Sequence, residues 1–197
     1  MKKEQYFALI KGLSDKQLLI QLYGSQLLLL VISTVIGFLL FDSKTSFFQL
    51  FQWKDSNIIV VGGGMGLVVV ALDIFLTKKL PSSYYDDGGL NERIFQSRNV
   101  FHITVIASLV AICEELLFRG ILQTHFGLVI SSSLFVLVHY RYLFNWFLFL
   151  NITLLSFLIG YIYALTDNLL VTMVMHFVID FVLGMMIKYS RDRREYP

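Results

Sequence analysis

The chain has 197 residues, of which 56% are hydrophobic and 15% charged, with a formal net charge of +2. Soluble domains ordinarily carry about 25% charged residues, and two prolines with thirteen glycines exclude a collagen-like or low-complexity chain, so the membrane class remains. The single cysteine, Cys113, excludes an internal disulfide framework, and no basic patch interleaved with aromatics points to nucleic acid.

Residues 1–24 alternate charged and apolar positions, and Phe7, Ile10, Leu13, Leu18 and Leu22 predict one face of a short interfacial helix. The apolar run that follows ends in Phe41-Asp42-Ser43 without a small-x-small cleavage site, so it is expected to stay as a first span, Ser25 to Phe41. A second span is expected from Asn57 to Leu76, near Gly62-Gly63-Gly64-Met65-Gly66. No Lys-Ser/Thr follows these glycines, so they read as small-residue helix packing and not as a phosphate loop. A polar segment, Thr77 to Asn99, carries Pro81 and the Tyr84-Tyr85-Asp86-Asp87 cluster, which reads as a solvated loop.

Four further spans are expected: Val100 to Leu122, Gly127 to Phe144, Asn145 to Leu165 and Leu169 to Ile187. Each is about 17–23 residues, matching a hydrocarbon core of about 30 Å at about 1.5 Å per residue. The predicted fold is an all-α polytopic bundle of about six spans. Its organisation is an amphipathic segment 1–24, two spans and a loop over 25–99, a four-span core over 100–190 and a basic tail over 191–197. With both termini inside, the loops and tails on that side hold most of the Lys and Arg residues, and the opposite loops hold only Lys44 and Lys54. The positive-inside rule favours cytoplasmic termini, and the basic tail suits anionic lipid. No internal repeat points to an inverted-repeat transporter.

The third span contains Cys113-Glu114-Glu115-Leu116-Leu117-Phe118-Arg119-Gly120. Three charges at a membrane helix centre cost about 8–10 kcal/mol, and each good apolar residue returns only about 0.3–0.6 kcal/mol. They therefore need partners inside the protein. Glu115 and Arg119 have the favourable acid-first i,i+4 spacing, and a purely structural ion pair accounts for those two. Glu114 is left over and is assignable as a general base. The fourth span contains Phe135-Val136-Leu137-Val138-His139, and the sixth stacks His176 and Asp180 on one helical face, where a carboxylate can orient an imidazole. Such a cluster can bind a divalent metal such as zinc through Glu114, His139 and His176. It can equally activate water without a metal, with the histidines supporting the oxyanion. Phe118 and Phe135 read as walls of the site, Cys113 as a packing residue, and His102 and His125 as interfacial.

Glu-Glu-x-x-x-Arg at 114–119, Phe-x-x-x-His at 135–139 and His-x-x-x-Asp at 176–180 resemble, in order, the motifs of the CAAX protease and bacteriocin-processing (CPBP) intramembrane protease family. The resemblance covers residues 100–187. It implies an intramembrane endopeptidase acting on a membrane-associated or lipidated protein or peptide. Glu114 would activate water, His139, His176 and Asp180 would complete the catalytic centre, and Glu115 with Arg119 would support it. The family is usually called metalloprotease, and the resemblance permits a metal-free mechanism as well. It also permits a non-catalytic scaffold or a bacteriocin-immunity or envelope-regulatory protein on the same fold. The connection between Glu114 and His139 is short for the family and leaves little room for a loop. Small size and the lack of targeting signals suggest a bacterial plasma membrane.

Overall fold

The computed structural model describes residues 3–195, and the side chains of Lys3, Ser82, Phe144 and residues 191–195 are outside that description. The lipid reading of the 191–197 tail therefore falls outside the described residues. The regular structure is all helical, with no strand among the described residues. Helix α1 spans Lys3–Gly12 and α2 spans Asp15–Leu40. Ser14 separates them through a capping box, its hydroxyl accepting from the Gln17 N–H while the Gln17 side chain accepts from the Ser14 N–H. The amphipathic segment is thus not one interfacial helix. Its second half, from Asp15, is the first part of the membrane helix, which begins ten residues before the expected Ser25. The predicted apolar face packs inward: Ile10 and Leu18 are buried with Leu90, Ile94 and Ile106, and Phe7, Leu13 and Leu22 lie against them.

A short helix α3, Lys44–Phe48, precedes a π-helical turn Ile58–Gly63 that runs into α4, Gly64–Lys79. A Cβ on Gly62 would stand 2.5 Å from the Val171 carbonyl oxygen, and one on Gly66 would stand 2.9 Å from Val178 Cβ. The glycine run is therefore small-residue packing, with backbone against backbone. The Tyr84 cluster is packed and not a free loop. Tyr84 meets Trp146 and Phe147 edge-on, the Tyr85 hydroxyl donates to the Thr77 and Leu80 carbonyls, and Asp87 accepts from the N–H groups of Gly89 and Leu90 at the start of α5, Leu90–Phe95.

Helix α6, Val100–Glu115, continues as a π-helical segment Leu116–Gln123 and then as α7, Thr124–Val138. Gly127, at φ 82° and ψ 169°, reverses the chain in a region that glycine alone occupies readily. Beyond it the helix returns antiparallel to the π segment, with the Ser131 hydroxyl donating to the Phe118 carbonyl. The returning arm has 11 residues from Leu128 to Val138, about 16 Å, too short for a full crossing. The expected fourth span is this short arm, and the 3-10 turn Tyr140–Phe144 carries the chain on until the Asn145 amide donates to the Ser83 carbonyl, so the hairpin returns to the side it left and both termini share a side. Among the described residues five helical stretches are long and apolar enough to cross a membrane, with the Val100–Val138 hairpin counted as one. Helices α8, Trp146–Thr166, and α9, Leu169–Glu195, complete the bundle, joined through Asp167 in a left-handed turn.

The burial pattern is inverted relative to a soluble protein. Leu27, Leu28, Phe38, Ile59, Leu67 and Leu72 are exposed, whereas Glu114, Glu115, Arg119, Ser131, Ser132, Ser156 and His176 are buried. In water such a surface would aggregate; in lipid it is the solvated one, and the polar groups must find partners inside. The molecule is a helical membrane bundle.

Candidate active site

Glu114 and Glu115 occupy the last turn of α6 and point to different neighbours, as their offset of about 100° requires. Glu115 and Arg119 are wholly buried, with Arg119 Nη1 3.4 Å from Glu115 Oε1. The same carboxylate oxygen lies 2.9 Å from His176 Nδ1. Since the carboxylate can only accept, the ring donates through Nδ1–H, and this contact fixes its tautomer and joins α6 to α9. Asp180, the orienter expected from sequence, stands on the other side of the ring, with Oδ2 3.6 Å from His176 Nε2. Glu115 thus does more than balance Arg119.

Arg119 is held by groups that the motifs do not contain. Its Nη2 donates to the Ser156 carbonyl at 3.0 Å and to the Ser156 hydroxyl at 3.3 Å, and its guanidinium lies 4.6 Å above the Phe135 ring. Ser132 and Ser156 exchange hydrogen bonds between α7 and α8, and Gln123 donates to the Gly160 carbonyl. A Cβ at Gly160 would stand 2.8 Å from Gln123 Oε1, so the Gln123 amide would have to shift to admit one.

The reversal at Gly127 returns His139 to the level of Glu114. His139 Nε2 lies 3.7 Å from Glu114 Oε2, and its Nδ1 lies 2.8 Å from the Phe135 carbonyl, to which Nδ1–H donates. Phe135 stacks on His139 at 4.4 Å, meets Phe118 at 4.9 Å and approaches His176 at 6.4 Å. It is the wall shared by the Glu114–His139 couple and the Glu115–His176–Asp180 triad. Glu114 also has a partner on α2, because Gln26 Nε2 donates to its Oε1 at 3.3 Å. Sequence reasoning passed over Gln26, Ser132 and Ser156. A polar residue on the buried face Leu18, Gln26, Ser33, Gly37 was the available signal for the first.

Glu114 and His176 are each only 6% exposed, whereas the side chains of His139 and Asp180 retain 17% and 29%. Those two lie at the end of α7 and one turn further along α9, so the cluster is most open toward the side bearing the chain termini. Along the α6–α9 seam an apolar cavity of about 390 Å³ is lined by Phe51, Ala111, Ile112, Leu116, Met173 and Phe177, immediate sequence neighbours of Glu115 and His176 among them. Cys113 is buried as packing. His102 bonds the Tyr23 hydroxyl, and His125 lies within hydrogen-bonding distance of the Ile121 and Leu40 carbonyls; neither joins the cluster.

Among the described residues no three His, Cys, Asp or Glu side chains gather as a metal-holding group. Both histidines commit Nδ1 elsewhere, and their Nε2 atoms face different carboxylates, Asp180 and Glu114. The possible ligand set Glu114, His139 and His176 does not converge on a single point as these side chains stand.

The Type II CAAX prenyl endopeptidase Rce1-like family model matches residues 96–182, the stretch that carries every member of this cluster except Gln26. A Bacillus subtilis protein described as uncharacterized protein YpbD is 40% identical over 171 residues, 87% of this chain and 90% of that protein. The chain belongs to the Rce1-like family, within the CPBP group. The UPF0177 protein YxdF of Lactococcus lactis is 30% identical over 120 residues, 58% of this chain and 66% of that protein. No solved structure matches. The Rce1-like family is one of CAAX-type intramembrane proteases, and family and apolar helices together make this an integral membrane protein.

Proposed function

We propose that the protein is an intramembrane endopeptidase that hydrolyses a peptide bond of a membrane-associated or lipidated substrate with water activated by Glu114. The observation that carries this reading is the pair of facing groups Glu114 and His139, 3.7 Å apart, beside a histidine held at 2.9 Å by Glu115. Glu114 takes a proton from water as the oxygen bonds to the scissile carbonyl carbon. His139 and His176, when their Nε2 atoms carry hydrogen, donate to the oxyanion that forms. Collapse of that intermediate breaks the C–N bond, and Glu114 returns the proton to the leaving amine. Asp180 and Glu115 hold the His176 ring between them, and Phe118 and Phe135 limit the entry of bulk water.

The apolar cavity beside the α6–α9 seam supports a substrate that brings its own apolar group from the bilayer. A CAAX-type prenylated C-terminus, the substrate named in the family description, and an unlipidated membrane peptide both satisfy that chemistry. The relatives in Bacillus and Lactococcus support a bacterial plasma membrane, and the basic residues support termini on its cytoplasmic face.

The test is cleavage by purified protein in lipid bilayers, using a quenched farnesylated Cys-a-a-X peptide and a quenched transmembrane peptide. Wild type cleaves at least one, Glu114→Ala and His176→Ala cleave neither, and a chelator leaves the wild-type rate unchanged. Equal cleavage by both variants removes this assignment of the site. A rate abolished by chelator and restored by zinc replaces the metal-free step. Rescue of a deletion phenotype by a Glu114→Ala copy supports the non-catalytic scaffold or immunity role instead.

A further inference from the structure

We infer that Gln26 is a positioning residue for Glu114, supplied by a helix outside the matched region. The inference rests on the reading of Glu114 as the base. Gln26 is 5% exposed and lies twelve residues into α2, about 17 Å from the helix start, among Leu and Ile side chains. Its Nε2 donates to Glu114 Oε1 at 3.3 Å, and that assignment of the amide is fixed because a carboxylate only accepts. Its own Oε1 is buried and has no hydrogen-bond partner among the described residues.

An orphaned amide oxygen inside a membrane bundle is costly, and an apolar residue of the same shape would remove that cost. The contact between α2 and the π segment needs no polar group at this level. Leu29, Ile32 and Ile36 already pack on Leu117, Phe118 and Phe135. Gln26 therefore makes its one hydrogen bond at the expense of stability, and the group it holds is the base. With Oε1 of Glu114 tied to Gln26, Oε2 is turned toward His139, the side where a water and a carbonyl have to sit. Ser33, two turns on along the same buried face, serves as the control, since its hydroxyl donates only to the Leu29 carbonyl of its own helix.

The experiment compares wild type, Gln26→Met and Ser33→Ala in bilayers with whichever quenched peptide wild type cleaves. The rates are read together with thermal unfolding. The infrared carboxylate bands that disappear in Glu114→Gln are followed in the same samples. Gln26→Met is expected to lower kcat by about 10- to 100-fold, by analogy with the loss of hydrogen-bond partners that orient metal-ligating side chains. KM should stay within about twofold and the unfolding temperature should hold or rise. The Glu114 bands should shift in Gln26→Met and not in Ser33→Ala. Unchanged kcat with unchanged bands overturns the inference, as does a loss of kcat that only tracks a lowered unfolding temperature. Should the Met variant fail to accumulate, Gln26→Asn, one methylene too short to reach Glu114, is read by the same outcomes. An active Glu114→Gln would remove the base itself. An inactive Glu114→Gln beside a normal Gln26→Met would remove only the role of Gln26.

Discussion

Arg119 shows why a membrane helix can tolerate the Glu-Glu-x-x-x-Arg charges. Its guanidinium is wholly buried against Glu115, the Ser156 carbonyl and the Phe135 face. Removing one partner of a buried pair strands the other charge, at about 3–5 kcal/mol. Arg119→Met should therefore lower unfolding stability in detergent by that order, whereas Ser156→Ala, which leaves the carbonyl acceptor in place, should cost about 1 kcal/mol. Denaturant titration of both variants checks this, and an Arg119→Met protein as stable as wild type would contradict it. At this scale sequence reading went far for Glu114, Glu115 and Arg119, because each charge inside an apolar run demands a partner. It assigned the partners incompletely. Glu115 was matched to Arg119 by i,i+4 spacing, but its shorter contact is to His176, 61 residues away. Gln26 was not legible because a first span opening at Ser25 puts it at the span's edge, where a polar side chain demands no partner.

Among the elements, the α6–α7 hairpin decides where His139 sits. Hydropathy over Gly127 to Phe144 reads as one more span, because a reversal at a single glycine changes no apolar average. The structure uses Gly127 at φ 82° to fold an 11-residue arm back to the level of Glu114. A side chain at that position costs about 1–3 kcal/mol of backbone strain. Gly127→Val should therefore abolish cleavage while lowering stability only modestly, since strain at the turn moves His139 away from Glu114. Activity and unfolding measured on the same preparation check this, and wild-type cleavage by Gly127→Val would show that the turn does not set the site. The π-helical segments Ile58–Gly63 and Leu116–Gln123 were likewise not legible, because hydropathy does not register whether a turn closes at i+4 or i+5. The glycines at 62 and 66 were legible as packing, and Val171 and Val178 are what they pack against.

Across the whole molecule, the all-helical membrane architecture followed from composition and the lengths of the apolar runs, and the inverted burial pattern expresses it. Orientation rests on a charge asymmetry: Lys44 and Lys54 are the lysines on the side opposite the termini, where many more basic residues lie. The buried Cys113 leaves a natural background for labelling. Lys54→Cys should react with a membrane-impermeant maleimide on intact cells, and Lys188→Cys should react only after permeabilisation. The reverse pattern would invert the bundle, and the opening at His139 and Asp180 would then face the outside.

The proposed chemistry depends on Glu114 as the base for an attacking water. The most direct measurement is mass spectrometry of peptide products formed in ¹⁸O-labelled water by wild type and by Glu114→Gln at matched folded amounts. With Glu114 as the base, ¹⁸O appears in the new carboxyl terminus of the wild-type product and Glu114→Gln yields no product. Labelled product formed by Glu114→Gln at the wild-type rate would contradict it.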